Sequence, residues 1–509
     1  MIPVLTAEQV RKADAHSIAH EPITSIDLME RAARACAEVL KELHPVKNVG
    51  FLVLAGCGNN GGDGLAIARM CAANGTRVRV LLCHYKPELS ADALTNLERL
   101  ESSAVDVVHL EVGSVLPPPL DNEVVIDALL GAGLDRPISG WLKEVVQQVN
   151  RWPNQVISID LPSGLFAQDN TTNDPKAIIQ ADHVLTLEVP KLALLLPDNG
   201  PWVGQWHRIR IGLDRSFIHA LGSKELLVEE QDVREFMPER PRTAHKGTFG
   251  HALLVAGSEG KAGAAVLAAH ACARSGTGLI TVQLPLGLQP AMNAALPEAM
   301  TLTDALDKRS SPEGTTRFSV VGIGPGIGTG DVAARMLKRM VQDASTPLVL
   351  DADALTILRE NRTWLAFLPK RTVLTPHPKE FDRLTEPSAT GFERLGKARS
   401  FAIRFGIVLV LKGANTAVCS PDGTVYFNPT GNPGMAKGGS GDALTGIITG
   451  LLAQGVEPVS AAVLGVYAHG LAGDLAAEEL GMDAMLPTDL IDHLPLAWRR
   501  IRGDGSRSR

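Results

Sequence analysis

The first two elements that the pattern of apolar and polar positions predicts are helices. Thr6 stands where a helix N-cap is expected and Gln9 follows three residues later, which is the spacing of a capping box. Over residues 25–43 the apolar side chains recur three or four positions apart, as on one face of an amphipathic helix. The residues of that face are Ile26, Met29, Ala33, Ala37 and Leu40. The chain is therefore expected to open with helices.

After these helices the pattern changes to continuous apolar runs that alternate with helical segments. Strands that lack an alternating polar face are typical of a parallel sheet covered by helices on both sides. Ligands of such sheets bind at the carboxyl ends of the strands. The predicted strands are residues 49–55, 77–83, 105–109, 123–128, 155–160 and 182–187, and the predicted helices are residues 64–74, 91–101 and 142–150.

Residues 212–245 interrupt this alternation with clustered charges and with Pro238 and Pro241, so we expect a linker near residues 215–240. A second α/β region follows it. Its predicted strands are residues 251–256, 279–283, 319–323, 347–350, 371–375 and 407–412, and its predicted helices are residues 264–275, 442–452 and 461–476. The short polar tail after Arg502 is expected to lack order. The sequence thus predicts two α/β domains, residues 1–220 and residues 228–509.

Composition and charge limit the kinds of molecule that the chain is expected to bind. The chain has 509 residues and a net charge of -7 with no basic run, which argues against nucleic-acid binding. Its six cysteines are scattered without a CxxC pair, as in a reducing compartment. We find no signal-peptide core, and no apolar run approaches the ~18 residues of a membrane span. We therefore expect a cytoplasmic protein without membrane partners, and we expect it to form a homo-oligomer.

The first candidate chemistry lies in the segment GCGNNGGDG, residues 56–64, directly after a predicted strand. Its glycines let the backbone approach a ligand closely, and the following helix would point its positive end at an anion. A tight strand–helix turn would need the glycines too, but it has no use for the adjacent Asn59 and Asn60. Asp63 adds a carboxylate, which phosphate binding does not require. The segment therefore predicts a nucleotide site that also performs chemistry.

Two further loops end predicted strands in the same half. DALLGAGL begins at Asp127, and DLPSG begins at Asp160 and contains Ser163. A single aspartate after a strand is often only a helix cap, but three such loops favour a common site. Oxygen ligands from Asn, Asp and Ser suit an alkali or alkaline-earth ion and do not suit zinc.

GCGNNGGDG, DALLGAGLDRP and IDLPSG together resemble the NAD(P)H-hydrate epimerase domain over residues 1–215. The resemblance implies a Rossmann-like three-layer α/β/α fold that interconverts the R and S forms of the hydrates NADHX and NADPHX. It also implies a K⁺ ion with Asn60, Asp127 and Ser163 as ligands. The implied substrate contacts are Asn59, Asn60, Gly61, Gly62, Asp63, Gly131, Ala132, Gly133, Leu134, Asp135, Arg136, Pro137 and Asp160.

Epimerisation of these hydrates needs little more than proton transfer. The hydrated carbon carries a hydroxyl group and the ring nitrogen, so its stereocentre is lost by ring opening or by hydroxide departure. The sequence leaves both routes open. One carboxyl group that shuttles a proton suffices, and Asp160 is the candidate general acid/base.

The second half contains GGSGD, residues 438–442, before a predicted helix. The glycine N–H groups would form an anion hole that the helix dipole supports. Asp442 at the helix start could remove a proton from a hydroxyl group that attacks a phosphate. The alternative is that Asp442 only stabilises the helix dipole. The segments GIGPGIG (322–328) and KGANT (412–416) make this alternative weaker.

This half resembles the ribokinase-like superfamily and, within it, the ADP-dependent NAD(P)H-hydrate dehydratase, over residues 240–500. The motifs that carry the resemblance are HKGTFGHALLVAGS (245–258), VVGIGPGIG (320–328), LDADAL (350–355), TPHPKEF (375–381), VLKGANT (410–416) and NPGMAKGGSGD (432–442). The implied nucleotide contacts are Lys412, Gly413, Ala414, Asn415, Thr416 and Gly441. The implied NAD(P)HX contacts are Ala264, Gly324, His377 and Asp442. Lys379 departs from the family, where a glycine often follows the His-Pro pair.

The resemblance implies that Asp442 deprotonates the C6 hydroxyl of S-NAD(P)HX, which then attacks the terminal phosphate of ADP with Mg²⁺ on the phosphates. Loss of phosphate from the intermediate restores NAD(P)H. The main alternative is an ATP-dependent vitamin or sugar kinase in the second half, with the first half as a nucleotide-binding scaffold. A non-catalytic regulator is the alternative from another class.

Overall fold

A computed structural model describes residues 1–21, 23–45, 49–103, 105–303 and 317–503. The chain divides into two compact units, Ile2–Glu225 and Leu226–Arg509, with Met1 assigned to the second. Most of the polar tail, from residue 504 onward, lies outside the described residues.

The amino-terminal unit is built on a parallel sheet whose described strands have the order β4-β3-β2-β5-β6-β7-β8. Every residue of β2, β5 and β6 is buried, as expected for strands covered on both faces. The order reverses between β2 and β5, which leaves a crevice at their carboxyl ends. The strands of this unit are β1 (Ile2–Pro3), β2 (Gly50–Ala55), β3 (Val78–His84), β4 (Asp106–Glu111), β5 (Glu123–Ala128), β6 (Val156–Ile159), β7 (His183–Leu187) and β8 (Gln205–Ile209).

The helices of this unit begin close to their predicted positions with one exception. The capping box of Thr6 and Gln9 is present at the start of the first helix. The third helix begins at Asn59, five residues before the predicted start at residue 64, so that part of the prediction is wrong. The helices are α1 (Ala7–His20), α2 (Ser25–Leu43), α3 (Asn59–Ala73), α4 (Ala91–Glu101), α5 (Gly140–Val149), α6 (Leu192–Leu195), α7 (Gly200–Val203) and α8 (Arg215–Ala220).

The early start of α3 follows from close backbone packing. A Cβ atom at Gly61 would lie 1.9 Å from the carbonyl oxygen of Gly56, so the first helical turn lies directly against the end of β2. A Cβ atom at Gly62 would lie 2.8 Å from the sulfur atom of Met29 in α2. These two glycines therefore allow α3 to pack against the end of β2 and against α2. They do not mark a loop in this segment.

The expected linker over residues 215–240 is wrong as a description of local structure. The segment contains α8, β9 (Glu225–Leu227) and α9 (Glu230–Glu235). Its charges lie at helix ends: Asp214 accepts hydrogen bonds from the backbone N–H groups of Ser216 and Phe217 at the start of α8. Val233 is buried, so this charge-rich segment also contributes an apolar side chain to the core.

The carboxy-terminal unit contains a larger sheet with the described order β9-β18-β17-β16-β15-β14-β13-β10-β11-β12. The strands from β10 to β16 are parallel, whereas β17 and β18 pair antiparallel. The α/β class predicted for both halves is confirmed. The strands are β10 (His251–Val255), β11 (Leu279–Gln283), β12 (Met300–Leu302), β13 (Val320–Ile323), β14 (Leu348–Leu350), β15 (Val373–Leu374), β16 (Val408–Leu411), β17 (Ala417–Cys419) and β18 (Val425–Phe427).

Small residues allow the helices of this unit to pack closely. A Cβ atom at Gly446 would lie 2.1 Å from the carbonyl oxygen of Ala268, where the helices that contain these residues meet. The helices are α10 (Ala262–Arg274), α11 (Gln289–Ala295), α12 (Asp331–Gln342), α13 (Asp353–Glu360), α14 (Pro378–Leu384), α15 (Gly391–Phe405), α16 (Ser440–Ala453), α17 (Pro458–Leu480) and α18 (Pro487–Arg502).

Helix α17 is apolar enough, and with 23 residues long enough, to cross a membrane by length and composition. It is the only such helix among the described residues, and most of its apolar stretch is buried inside the unit. It packs against α16 and α18 and contributes many residues to the hydrophobic core. The helix is therefore a core helix of this unit.

Candidate active sites

A cavity of about 810 Å³ lies in the amino-terminal unit, at the crevice between the carboxyl ends of β2 and β5. This volume is in the range of small-molecule sites. Many of the predicted substrate contacts line it. They are Asn59, Asn60, Asp63, Gly131, Ala132, Gly133, Leu134, Asp135, Arg136 and Asp160. Gly61, Gly62 and Pro137 are not part of this lining, and the two glycines are buried in the start of α3.

Asp160 has a strained backbone and a fully engaged side chain. Its φ of 65° is in the left-handed region, which a residue other than glycine adopts at a cost. One carboxylate oxygen accepts a hydrogen bond from the Ala132 N–H at 3.1 Å, and the other is paired with the ammonium group of Lys191. Lys191 is fully buried and also donates to Thr186 Oγ1 at 3.1 Å. Strain and a buried ion pair together make Asp160 a candidate functional residue.

Among the other carboxyl groups that line the cavity with Asp160, two have raised pKa values. The pKa of Asp14 is raised to about 6, chiefly by burial; Lys191 opposes this rise, and the neighbouring charge of Asp160 adds to it. Burial also raises the pKa of Asp63 well above its usual range, with Asp160 and Asp14 as further causes. Carboxyl groups with raised pKa values stay partly protonated near neutral pH. Such groups can therefore give and take a proton.

The predicted potassium ligands lie beside this cavity. Asp127 is fully buried and accepts hydrogen bonds from the hydroxyl groups of Ser158 at 2.7 Å and Ser163 at 2.6 Å. It also accepts from the backbone N–H groups of Ser163 at 2.8 Å and Leu129 at 3.3 Å. These four donors occupy all the lone-pair positions of a carboxylate. Asp127 would therefore have to give up one of them to bind an ion directly.

Asn60 differs from the other two ligands. Its side-chain nitrogen is buried and finds no hydrogen-bond partner in the described part of the chain. The amide also lies against the GAGLDRP loop, since a Cβ atom at Gly131 would be 3.2 Å from its Oδ1 atom. The donor set of Asn60, Asp127 and Ser163 contains only oxygen atoms and one carboxylate, and this chemistry fits a weakly hydrated monovalent cation.

The carboxy-terminal unit gathers its candidate residues around Asp351, which follows β14. Lys412 Nζ donates to Asp351 Oδ1 at 2.9 Å, and Thr445 Oγ1 donates to Asp351 Oδ2 at 2.8 Å. Glu380 Oε2 lies 4.0 Å from Lys412 Nζ. Four loops and helix starts that are far apart in sequence therefore meet at one charged cluster.

Asp442 lies in the first turn of α16, next to this cluster. Gly439 precedes the helix with a φ of 106°, which favours glycine. A Cβ atom at Gly441 would lie 3.3 Å from Lys412 Nζ, so the absence of a side chain leaves space above the Lys412–Asp351 pair. Burial raises the pKa of Asp442 to about 6, with the charge of Asp351 as the second cause and Lys412 opposing it. Asp442 can thus accept a proton near neutral pH.

The other predicted residues of this half surround the same cluster or cap its loops. His377 caps α14, its Nδ1 atom accepting from the Glu380 N–H at 3.3 Å. A Cβ atom at Gly324 would lie 1.9 Å from the Asp351 carbonyl oxygen, so only glycine fits there. Ala264 lies in the first turn of α10 beside Gly326. The turn from Gly413 through Ala414 and Asn415 closes with Thr416, whose hydroxyl group donates to the Gly413 carbonyl oxygen at 3.0 Å.

The sequence analysis missed several charged members of both clusters. Asp14, Lys191, Asp351 and Glu380 were not among the predicted site residues, although LDADAL and TPHPKEF contain the last two. For Lys191 and Asp351 the sequence did offer a signal. Both follow the carboxyl ends of strands, β7 and β14, where ligands of parallel sheets bind.

In both units a carboxylate-rich site lies at the carboxyl ends of parallel strands, and this arrangement defines a two-domain α/β enzyme. Comparison with known proteins identifies the two domains. Residues 252–496 match the family model of the NAD(P)H-hydrate dehydratase, and residues 25–193 match that of the YjeF-related protein N-terminus.

Relatives match nearly the whole chain. The bifunctional NAD(P)H-hydrate repair enzyme of Moorella thermoacetica is 36% identical, with 98% of this chain and 97% of its own length covered. The Escherichia coli enzyme of the same description is 34% identical, with 96% and 92% covered. The chain belongs to the family of bifunctional NAD(P)H-hydrate repair enzymes. The predicted family is thereby confirmed, as is the prediction of an isomerase and a lyase in one chain.

Solved structures resemble the carboxy-terminal unit. A hypothetical protein of Streptococcus mutans is 29% identical with a TM-score of 0.50, and the match covers 54% of this chain and all of that chain. An ADP/ATP-dependent NAD(P)H-hydrate dehydratase from Bacillus subtilis, co-crystallised with ATP/Mg²⁺, is 35% identical with a TM-score of 0.48, over 54% of this chain and 98% of its own.

Proposed function

We propose that the amino-terminal unit epimerises R- and S-NAD(P)HX and that the carboxy-terminal unit dehydrates the S form to NAD(P)H with consumption of ADP. The observation that carries the second step is the position of Asp442 in the first turn of α16, next to the Lys412–Asp351 pair. A base, a cation and a helix N-terminus at one place are the groups that transfer of a phosphoryl group to a hydroxyl group needs.

In the epimerase, Asp160 is our candidate general acid/base, and Asp14 and Asp63 supply further carboxyl groups that hold a proton close by. Lys191 pairs with the Asp160 carboxylate and fixes its orientation. Ring opening and hydroxide departure both require one group to give a proton and to take it back when the centre re-forms. The three carboxyl groups and the cavity they line support this role.

Potassium would be held by Asn60, Asp127 and Ser163. When bound, the ion would supply a positive charge next to the oxygen atoms of the hydrated nucleotide. The single negative charge of the donor set and its oxygen-only chemistry support this assignment.

In the dehydratase, Asp442 takes the proton of the C6 hydroxyl group while the oxygen atom bonds to the terminal phosphorus of ADP. The bond from that phosphorus to AMP breaks, and Lys412 and the N–H groups at the start of α16 hold the phosphate charge. Phosphorylation turns the C6 hydroxyl, a poor leaving group, into a good one, so that phosphate leaves C6, a proton is lost from C5, and the C5=C6 double bond of NAD(P)H is restored. Among the described residues no group of three or more His, Cys, Asp or Glu side chains could hold a metal ion. Mg²⁺ would bind to the phosphates of ADP, where it would neutralise their charge.

The decisive test is incubation of the purified protein with NADHX and ADP, with ATP, or without nucleotide. We expect absorbance of NADH to return with ADP, together with one AMP and one phosphate for each NADH formed. A stable phosphorylated product without return of NADH would instead identify a kinase. Return of NADH at the same rate without nucleotide would exclude phosphoryl transfer from the reaction.

We also propose that the enzyme works in the cytoplasm. Its six cysteines are all free and buried, which supports a reducing compartment. Formation of a homo-oligomer stays a prediction.

A further inference from the structure

A second cavity, of about 580 Å³, lies in the carboxy-terminal unit between α15, the end of α14 and the 3-10 helix Arg362–Phe367. We call it the α15 groove. Its floor is apolar, with Leu365, Leu384 and Phe401 buried beneath it and Phe405 beside them. The rings of Phe401 and Phe405 lie 4.6 Å apart between centroids. The groove therefore offers an apolar and aromatic surface large enough for a small organic molecule.

The rim of the α15 groove is cationic. Arg362, Lys397 and Arg404 line it, together with a single carboxylate from Glu386. This charge is local, since residues 359–404 contain ten Lys and Arg against five Asp and Glu in a chain whose net charge is -7. The α15 groove therefore combines positive charge with an apolar surface in a protein whose net charge is negative.

The guanidinium groups of the rim are available to a ligand. Arg404 lies over the ring of Phe405, with its Cζ atom 5.2 Å from the centroid. Arg362 donates one hydrogen bond, to the Arg383 carbonyl oxygen at 3.2 Å. Neither arginine forms an ion pair with a carboxylate within the described ranges. Lys397, by contrast, is paired with Glu393 at 2.8 Å and contributes mainly long-range charge.

Gly396 gives an independent reason to place a ligand here. It lies in the middle of α15, where glycine costs about 1 kcal/mol relative to alanine. A Cβ atom at this position would meet no atom of the described chain within 4 Å. Packing within the protein therefore does not require a glycine at 396. Gly396, Ser400 and Arg404 follow one another at intervals of four residues, so they form one row along the wall of the groove.

We propose that the α15 groove binds a small amphipathic anion, with an aromatic or aliphatic body on the phenylalanine floor and a phosphate or carboxylate group between Arg362 and Arg404. Bidentate contacts of arginine with these anions are among the stronger polar contacts in proteins. The proposal does not depend on the proposed reaction, because none of the residues that line the groove belongs to the Asp442 cluster.

Isothermal titration of the full chain with 1-naphthyl phosphate tests this proposal, with 1-naphthol and inorganic phosphate as matched probes for each half of the ligand. We expect 1-naphthyl phosphate to bind at least about tenfold more tightly than either matched probe, because each of them makes only one of the two contacts. Stronger salt should weaken the binding of the phosphate ester and leave that of 1-naphthol unchanged.

Variants at Gly396 locate the site. Gly396→Leu should fill the groove and weaken binding of 1-naphthyl phosphate about tenfold or more, whereas Gly396→Ala should keep it within about twofold. Arg404→Gln and Arg362→Gln should each weaken it by about three- to tenfold without changing 1-naphthol binding. Circular dichroism and thermal unfolding verify that each variant is folded. Equal affinity in the wild type, Gly396→Leu and Arg404→Gln would overturn the proposal, as would equal affinity for 1-naphthol and its phosphate.

Discussion

At the scale of single residues, both candidate sites use carboxyl groups whose pKa values are moved towards neutrality by burial and by one another. Asp14 in one unit and Asp442 in the other share a pKa raised to about 6. The sequence indicated Asp442 through the helix start that follows GGSGD. It did not show that Lys191 pairs with Asp160 or that Asp14 lies in the same cavity, because the fold alone creates these contacts: Lys191 meets a carboxylate 31 positions away in the sequence.

Replacement of Asp442 by asparagine should stop dehydration and spare epimerisation. Asparagine keeps the size of the side chain but cannot take the hydroxyl proton, so we expect a loss of about 10²- to 10⁴-fold in kcat. ADP affinity measured by calorimetry should change little, because backbone N–H groups and Lys412 remain. A dehydration rate near that of the wild type would remove Asp442 from this role.

Asp442→Asn should also raise the free energy of unfolding at neutral pH. A folded pKa of about 6 against 3.8 unfolded means that the folded state prefers the protonated carboxyl group. The favourable contribution is present at low pH and is lost as the pH rises between these values, so ionised Asp442 destabilises the fold at pH 7. Asp442→Asn should therefore increase the free energy of unfolding at pH 7 by roughly 1–2 kcal/mol. Urea unfolding at pH 4 and pH 7 checks this, since the difference should shrink at the lower pH.

Dehydration should itself depend on pH through this group. Because the base has to be ionised, kcat/KM should fall about tenfold for each pH unit below about 6 and level off above it. Stopped-flow assays across pH 5 to 8 would record the profile. A flat profile over this range would mean that the proton of the hydroxyl group goes elsewhere.

Potassium dependence of epimerisation is best tested at Asn60. Asp127 is a poor choice because its replacement removes four buried hydrogen bonds and would unfold the unit. Asn60→Ala should raise the K⁺ concentration for half-maximal epimerisation by about tenfold, through loss of one oxygen ligand. Asn59→Ala, at the exposed neighbouring position, is the control for K⁺ dependence. Equal half-maximal concentrations in the wild type and in Asn60→Ala would contradict the ligand set.

At the scale of elements, every predicted strand is present, whereas β1, β8, β9, β12, β17 and β18 were not predicted. β2 and β5 contain six residues each and are buried throughout, whereas β12, β17 and β18 contain three each. Three residues are too few to show a period, so only their partners in the sheet define them. The start of α3 was misplaced for a related reason, because glycines that favour a loop in isolation here permit contact with the end of β2.

Gly61 tests that explanation. Gly61→Ala should destabilise the amino-terminal unit by about 2 kcal/mol or more, because its Cβ atom would overlap the Gly56 carbonyl group, which is backbone and cannot turn away. Gly58→Ala serves as the matched change, since a Cβ atom there meets nothing within 4 Å in the described chain. Thermal unfolding of both variants gives the comparison, and similar melting temperatures would show that the turn relaxes.

At the scale of the whole molecule, each unit has its own hydrophobic core and its own sheet. We expect residues 1–222 to fold as a soluble epimerase and residues 223–509 as a soluble dehydratase. The cut falls in the exposed turn at Gly222, between α8 and β9, so that both elements stay whole. Separate expression followed by the two assays tests this. An insoluble fragment from a stable full chain would show that the units depend on each other.

The apolar helix α17 has a consequence during synthesis of the chain. By length and composition α17 could enter a membrane, and it exposes this apolar stretch until the carboxy-terminal core has formed around it. All the described strands and α16 precede α17 in the sequence, whereas α18, which also packs against it, follows. Prompt docking hides the segment within the folding time of one domain. Mutations that delay formation of the carboxy-terminal sheet should therefore cause the chain to be mistargeted or to aggregate before they affect either active site.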